Sequence, residues 1–131
     1  MAGIEALADM LRNLSVSRRP GSWTIVSIGS PVPLSEVIAA VIIESEGATA
    51  VATVAEATRR GWPVDFRGAW LTLDIHSSLD RVGLTAAVSA TLAGRGIPAN
   101  MLAGYYHDHL LVPEDRADEA MAAITALAAS T

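Results

Sequence analysis

Three histidines, His76, His107 and His109, share the segment 76–113 (HSSLDRVGLTAAVSATLAGRGIPANMLAGYYHDHLLVP) with the hydroxyls of Ser77, Ser78 and Thr85. Two kinds of chemistry suit these residue types. The first is capture of a small anion. A helix beginning after this loop leaves unpaired N–H groups at Val82, Gly83 and Leu84, and neighbouring hydroxyls can join them around a carboxylate. Gly83 gives the backbone room for this. His76 and Asn100, near strand ends, would make a second polar contact, and Met101 would line the apolar part of such a site. On this reading a Gly83→Val substitution would abolish binding and leave the fold largely intact. The plainer alternative is that Ser77 or Ser78 caps the helix and Gly83 does nothing more.

The second kind of chemistry is metal ligation. Residues i and i+2 of a strand face the same way, so His107 and His109 with His76 could supply three imidazoles. A histidine–aspartate pair at a hairpin corner more often fixes the turn by local hydrogen bonds. No metal, cofactor or catalytic residue is therefore assigned. Asn100 has no preferred role between capping a strand end and reading a ligand's α-amino group. Tyr105 and Tyr106 read as packing or interface residues, because their surroundings are acidic. Ser77 lacks a G-x-S-x-G elbow and an oriented acid, which argues against a hydrolase.

The elements that must position these groups follow from periodicity. Ile4, Leu7, Leu11 and Leu14 recur at helical spacing, and Arg18-Arg19-Pro20-Gly21 ends that helix. Trp23–Ile28, Val37–Glu44 and Ala48–Val54 read as strands, the last two turning at Glu46-Gly47. A short helix over Ala55–Arg60 stops at Gly61. Trp70–Ile75 alternates as a strand, and Leu84, Ala87, Val88, Thr91 and Leu92 form one helical stripe. Ala99–Tyr106 and His109–Val112 are expected to be antiparallel strands about a His107-Asp108 turn. Pro113 opens a last helix with Glu114 and Asp115 in its first turn. The order is βββα and then βαββα. That is the pattern of an α+β, ferredoxin-like βαββαβ sandwich in two modules, residues 1–66 and 67–131, the first degenerate through loss of its first helix.

At 131 residues and 51% hydrophobic the chain can bury a core, though much of the apolar share is alanine. The net charge is −5, and all nine basic residues are scattered arginines, which disfavours nucleic acid as a partner. The absence of lysine excludes Schiff-base chemistry and a P-loop. The absence of cysteine excludes thiolate nucleophiles, disulfides and Cys-based zinc sites. Glu5 and Asp9 stand where a signal peptide would be basic, and glycines and prolines break the longest uncharged run. A cytoplasmic protein with no membrane partner is expected.

The motifs HSSLDRVGLTAA and GIPANMLAGYYHDHLLVP, with ESEGATAV earlier, resemble a family of small bacterial proteins built from paired ACT-like domains. The likeness is most specific over residues 72–113. Toward the N-terminus, isoleucine stands at Ile43 and alanines at Ala48 and Ala50, where the family pattern has arginine and leucines. The resemblance implies a ferredoxin-like fold, association through sheets and helices, and a regulatory role in binding amino acids or related carboxylates. ACT-like domains place their effector against the loop that here holds residues 76–85. The leading expectation is thus a small-molecule sensor, not an enzyme, working as a homodimer. The alternatives are a dimerising module without a ligand and a His-dependent metalloenzyme.

Overall fold

The computed structural model describes residues 2–75 and 83–131, with side chains described from residue 6 onward. It divides into two compact units, Met1–Arg19 with Trp70–Thr131, and Pro20–Ala69.

The first unit carries the helix α1 (Ala2–Arg12), the start of the strand β1 (Val16–Ile28), and then β4 (Gly68–Leu73), α3 (Leu84–Ala93), β5 (Asn100–Ala103), β6 (Asp108–Pro113) and α4 (Ala117–Ala129), with a single 3-10 turn at Glu114–Arg116 leading into α4. Its strand order is β1-β4-β6-β5. This is the ferredoxin-like order with one change. The fourth strand position, beside β4, is filled by the beginning of β1. The Asp74 N–H donates to the Ser15 carbonyl at 2.8 Å, and the Ser17 hydroxyl to an Asp74 oxygen at 3.1 Å, which ties that strand in place.

Helix α3 buries Leu84, Val88 and Leu92, one residue per turn along a single stripe, and α4 buries Ala117, Ala120, Ala123 and Ile124. Leu71 and Leu73 of β4 and Leu110 and Val112 of β6 alternate inward and are also buried. Each large aliphatic side chain removed from water contributes about 1.5–3 kcal/mol. The α4 alanines contribute less burial but let helices approach closely, and α4 packs against both α3 and α1.

The second unit holds the rest of β1 with β2 (Ile38–Glu44), β3 (Gly47–Thr53) and α2 (Val54–Arg59). The antiparallel registers put large residues opposite small ones: Val26 faces Ala50, and Ile28 faces Ala48. Val26, Ile28, Ile38, Ala48, Ala50 and Ala52 form its core, with Val32, Val41 and Trp62 packed against them. The Thr53 hydroxyl accepts from the Glu56 N–H at 3.1 Å and caps α2. Glu56, three positions on in T-V-A-E, turns its carboxylate to Arg59 and Arg60, which hold its pKa down to about 2.

Four local expectations are corrected. The N-terminal helix stops at Arg12, and β1 runs from Val16 straight through Arg18-Arg19-Pro20-Gly21. Pro20 is tolerated because Gly21 takes a φ of +97°, and because the Pro20 carbonyl accepts from the Trp23 Nε1–H at 3.1 Å. The hairpin turn lies at 104–107 instead of His107-Asp108, so Asp108 begins β6 and β5 is correspondingly short. Pro113 closes β6 instead of opening the last helix. Among the described residues, no helix is long and apolar enough to cross a membrane.

Candidate functional site

Helix α3 starts on Gly83, whose left-handed backbone (φ +92°) would strain any other residue. Gly83 has no side chain with which to cap this end, and among the described residues no side chain is bonded to it as a cap. Leu84 is buried as the first core residue of the helix. Thr85 is exposed, and its hydroxyl donates to the Asp108 Oδ2 at 3.4 Å. Asp108 itself is buried at 3% exposure, an unusual place for a carboxylate, and it stands at the first residue of β6. Thr85 and Asp108 thus bring the start of α3 and the start of β6 together.

Of the residues expected to form the site, Gly83, Leu84 and Thr85 are consecutive at this helix end. His76, Ser77, Ser78 and Val82 lie outside the described residues. Asn100 and Met101 are neighbours on β5, Asn100 opposite Leu111 and Met101 opposite Leu110 in the ladder, so they project to opposite faces of the strand. Asn100 is exposed, and Met101 shares the face of Leu110, which is fully buried.

His109 sits one residue beyond Asp108 and so faces the other way. Its Nδ1 lies 2.9 Å from the Thr72 hydroxyl and 3.3 Å from the Trp70 Nε1. An indole N–H can only donate, so Nδ1 accepts and the ring proton belongs on Nε2, which makes the imidazole neutral. The rings of Trp70 and His109 lie 5.3 Å apart, and the Arg19 guanidinium sits 3.9 Å from the centre of the Trp70 ring. Burial first, then the charges of Arg19 and His107, hold the His109 pKa below its ordinary 6.5, while Asp108 and Asp74 oppose this. Gly104 completes the corner. Its N–H donates to the His107 carbonyl at 2.9 Å, and a Cβ there would stand 2.8 Å from that oxygen. The turn presents Tyr105 and Tyr106 outward in an edge-to-face pair, centroids 5.1 Å apart.

The sequence singled out His109 but not its partners Arg19, Trp70 and Thr72, which come from distant strands. The rings of His107 and His109 are 6.4 Å apart. Among the described residues no group of three or more His, Cys, Asp or Glu side chains is placed to hold a metal ion.

A concavity of about 490 Å³ lies in the Pro20–Ala69 unit and is lined by Gly21, Ser22, Val37, Thr53, Val54, Ala55 and Arg67. Its walls are mostly apolar, Arg67 is its one charged residue, and the Thr53 hydroxyl is already committed to capping α2.

Residues 66–126 match the ACT domain family. That span takes in all of β4, α3 and the His107–His109 hairpin. No match was found among curated proteins. A crystal structure of a Vibrio cholerae protein of unknown function, described as a possible transport protein, is similar at a TM-score of 0.83 and 34% identity, covering 96% of this chain and 98% of that one. A crystal structure of an Agobacterium tumefaciens protein is similar at a TM-score of 0.73 and 16% identity, covering 88% and 89%. That of an aspartate kinase from Clostridium acetobutylicum is similar at 0.59 and 10% identity, covering 90% of this chain and 34% of the kinase. The last two likenesses bear on the fold alone. With more than a third of residues identical to the Vibrio protein over nearly both lengths, and an ACT domain over residues 66–126, the chain belongs to that protein's family of small ACT-domain proteins.

Proposed function

We propose that this protein is a regulatory module of the ACT type that binds an amino acid or a closely related carboxylate at the start of α3 and acts as a homodimer. The observation that carries the reading is the glycine-started end of α3, with no side-chain cap among the described residues, beside the buried Asp108 carboxylate. An amino acid has two charges a few ångströms apart, and this corner offers a complement to each. N–H groups at Gly83, Leu84 and Thr85, with the helix dipole behind them, suit the carboxylate. Asp108 suits the α-amino group. The hydroxyls of Thr85, Ser77 and Ser78, the His76 ring and the Val82 N–H would complete the polar shell. The ACT domain match over residues 66–126 supports the regulatory part of this reading.

A dimerising module without a ligand is the second reading, favoured by the exposed isoleucines Ile42 and Ile43. Thermal denaturation of the full chain in the presence of each amino acid separates the two. A ligand of the native state raises the midpoint by mass action, and at a hundred times its Kd stabilises by about 2.7 kcal/mol. The sensor reading expects such a rise with one or a few amino acids, lost in Asp108→Asn. A midpoint unmoved by every amino acid would leave the dimerising role.

A further inference from the structure

We infer that the concavity between Gly21, Val37 and Arg67 binds a small monocarboxylate with an apolar body and no amino group. The site lies wholly within the Pro20–Ala69 unit and does not depend on the reading of α3 given above.

Size and wall chemistry set the class of occupant. At about 490 Å³ the space falls within the roughly 300–1,000 Å³ of small-molecule pockets. Gly21 takes a φ of +97° and, as a glycine, puts no side chain into the opening. Val37, Val54 and Ala55 give aliphatic walls. Polar groups along these walls are spent inside the protein. The Val37 N–H donates to the Ser35 Oγ at 3.2 Å, and the Val37 carbonyl accepts from the Thr53 N–H at 2.9 Å. The Thr53 hydroxyl accepts from the Glu56 N–H. A group already paired within the protein gains little by turning to an outside molecule, so an apolar body suits this space.

Arg67 sets the charge. It is exposed, and among the described residues no hydrogen bond or ion pair holds its guanidinium. Glu56, next to Ala55 in the chain, turns to Arg59 and Arg60 and so does not neutralise it. The planar fork of an arginine matches a carboxylate in geometry as well as in charge. None of the described lining residues is acidic. An ammonium group entering the space would therefore meet a like charge at Arg67 and no counter-charge on the walls. That selects a plain carboxylate over the zwitterion of an amino acid.

Isocaproate, its amide isocaproamide and leucine share one branched body and differ in charge. Each is titrated into isotope-labelled full-length protein while the amide resonances are read. Isocaproate should shift Gly21, Val37 and Arg67 saturably, and at these amides isocaproamide and leucine should bind about fivefold more weakly or worse. Arg67→Gln should weaken isocaproate by about the same factor and leave isocaproamide unchanged. Ala55→Leu, which fills part of the space, should weaken both. Circular dichroism checks that each variant is folded, and the comparison of acid with amide on the native protein reads the charge even if a variant misfolds. No saturable shift, equal binding of acid and amide, or affinity for isocaproate unchanged in a folded Arg67→Gln overturns the assignment. Isocaproate shifts confined to Gly83, Leu84 and Thr85 also overturn it and leave the α3 site standing.

Discussion

Leu7 of α1 packs directly over Gly83: its Cδ2 lies 2.9 Å from where a Cβ on Gly83 would stand. The space beside the start of α3 is therefore bounded by the N-terminal helix. Gly83 is held for two reasons at once, its left-handed backbone and this close approach. The expectation that valine at this position would leave the fold largely intact is corrected accordingly.

Gly83→Ala should cost about 1–2 kcal/mol from backbone strain alone, before any displacement of Leu7. Chemical denaturation of Gly83→Ala, Leu7→Ala and the double variant separates the parts. The double variant should relieve the steric component and keep the strain, so the two changes should be non-additive.

Thr24 is fully buried, and its hydroxyl has no hydrogen-bond partner among the described residues. An unpaired buried hydroxyl costs about 1–3 kcal/mol of desolvation. Thr24→Val, nearly the same shape, is therefore expected to raise the denaturation midpoint. A clear loss of stability would mean that the hydroxyl is paired in solution.

The Thr53 cap predicts the opposite sign. Removing the oxygen that accepts from Glu56 N–H should cost about 1 kcal/mol in Thr53→Ala, and Thr53→Ser should recover most of it.

His109 sets a pH dependence. Its pKa in the folded protein is below 6.5, so as the pH falls through and below that value the unfolded chain takes up the proton first. The stabilisation from the neutral ring is thus complete above pH 6.5 and is lost as the pH descends toward the folded-state pKa. Stability measured between neutral and mildly acidic pH should fall more steeply for the native protein than for His109→Asn, which keeps an acceptor for Thr72 but does not titrate. Equal slopes would mean that the ring is not held neutral.

The sequence carried most of this architecture because its elements are strongly periodic. The βαββα order from residue 70 and the βββα order before it were legible from alternation and from the Leu84, Val88 and Leu92 stripe. What escaped depended on distant partners. Arg18-Arg19-Pro20-Gly21 looks like a helix stop, and only the pairing of β1 with β4 makes it part of a strand. His107-Asp108 looks like a turn, but the turn forms earlier because Gly104 is the residue that tolerates the His107 carbonyl at close range. At the site, Gly83, Leu84 and Thr85 were read from local sequence. The buried Asp108 and the Arg19, Trp70 and Thr72 surroundings of His109 arise from strands far apart in the chain, where local pattern holds no signal.

The most direct test of an amino-acid site at the start of α3 is an NMR titration of isotope-labelled full-length protein with the amino acids, reading the amide resonances residue by residue. The account predicts that a binding amino acid shifts the amides of Gly83, Leu84 and Thr85 together with Asp108, saturably, and that the same compound leaves Asp108→Asn unshifted. Saturable shifts confined to Ser22, Val37 and Arg67, or no shift with any amino acid, would contradict it.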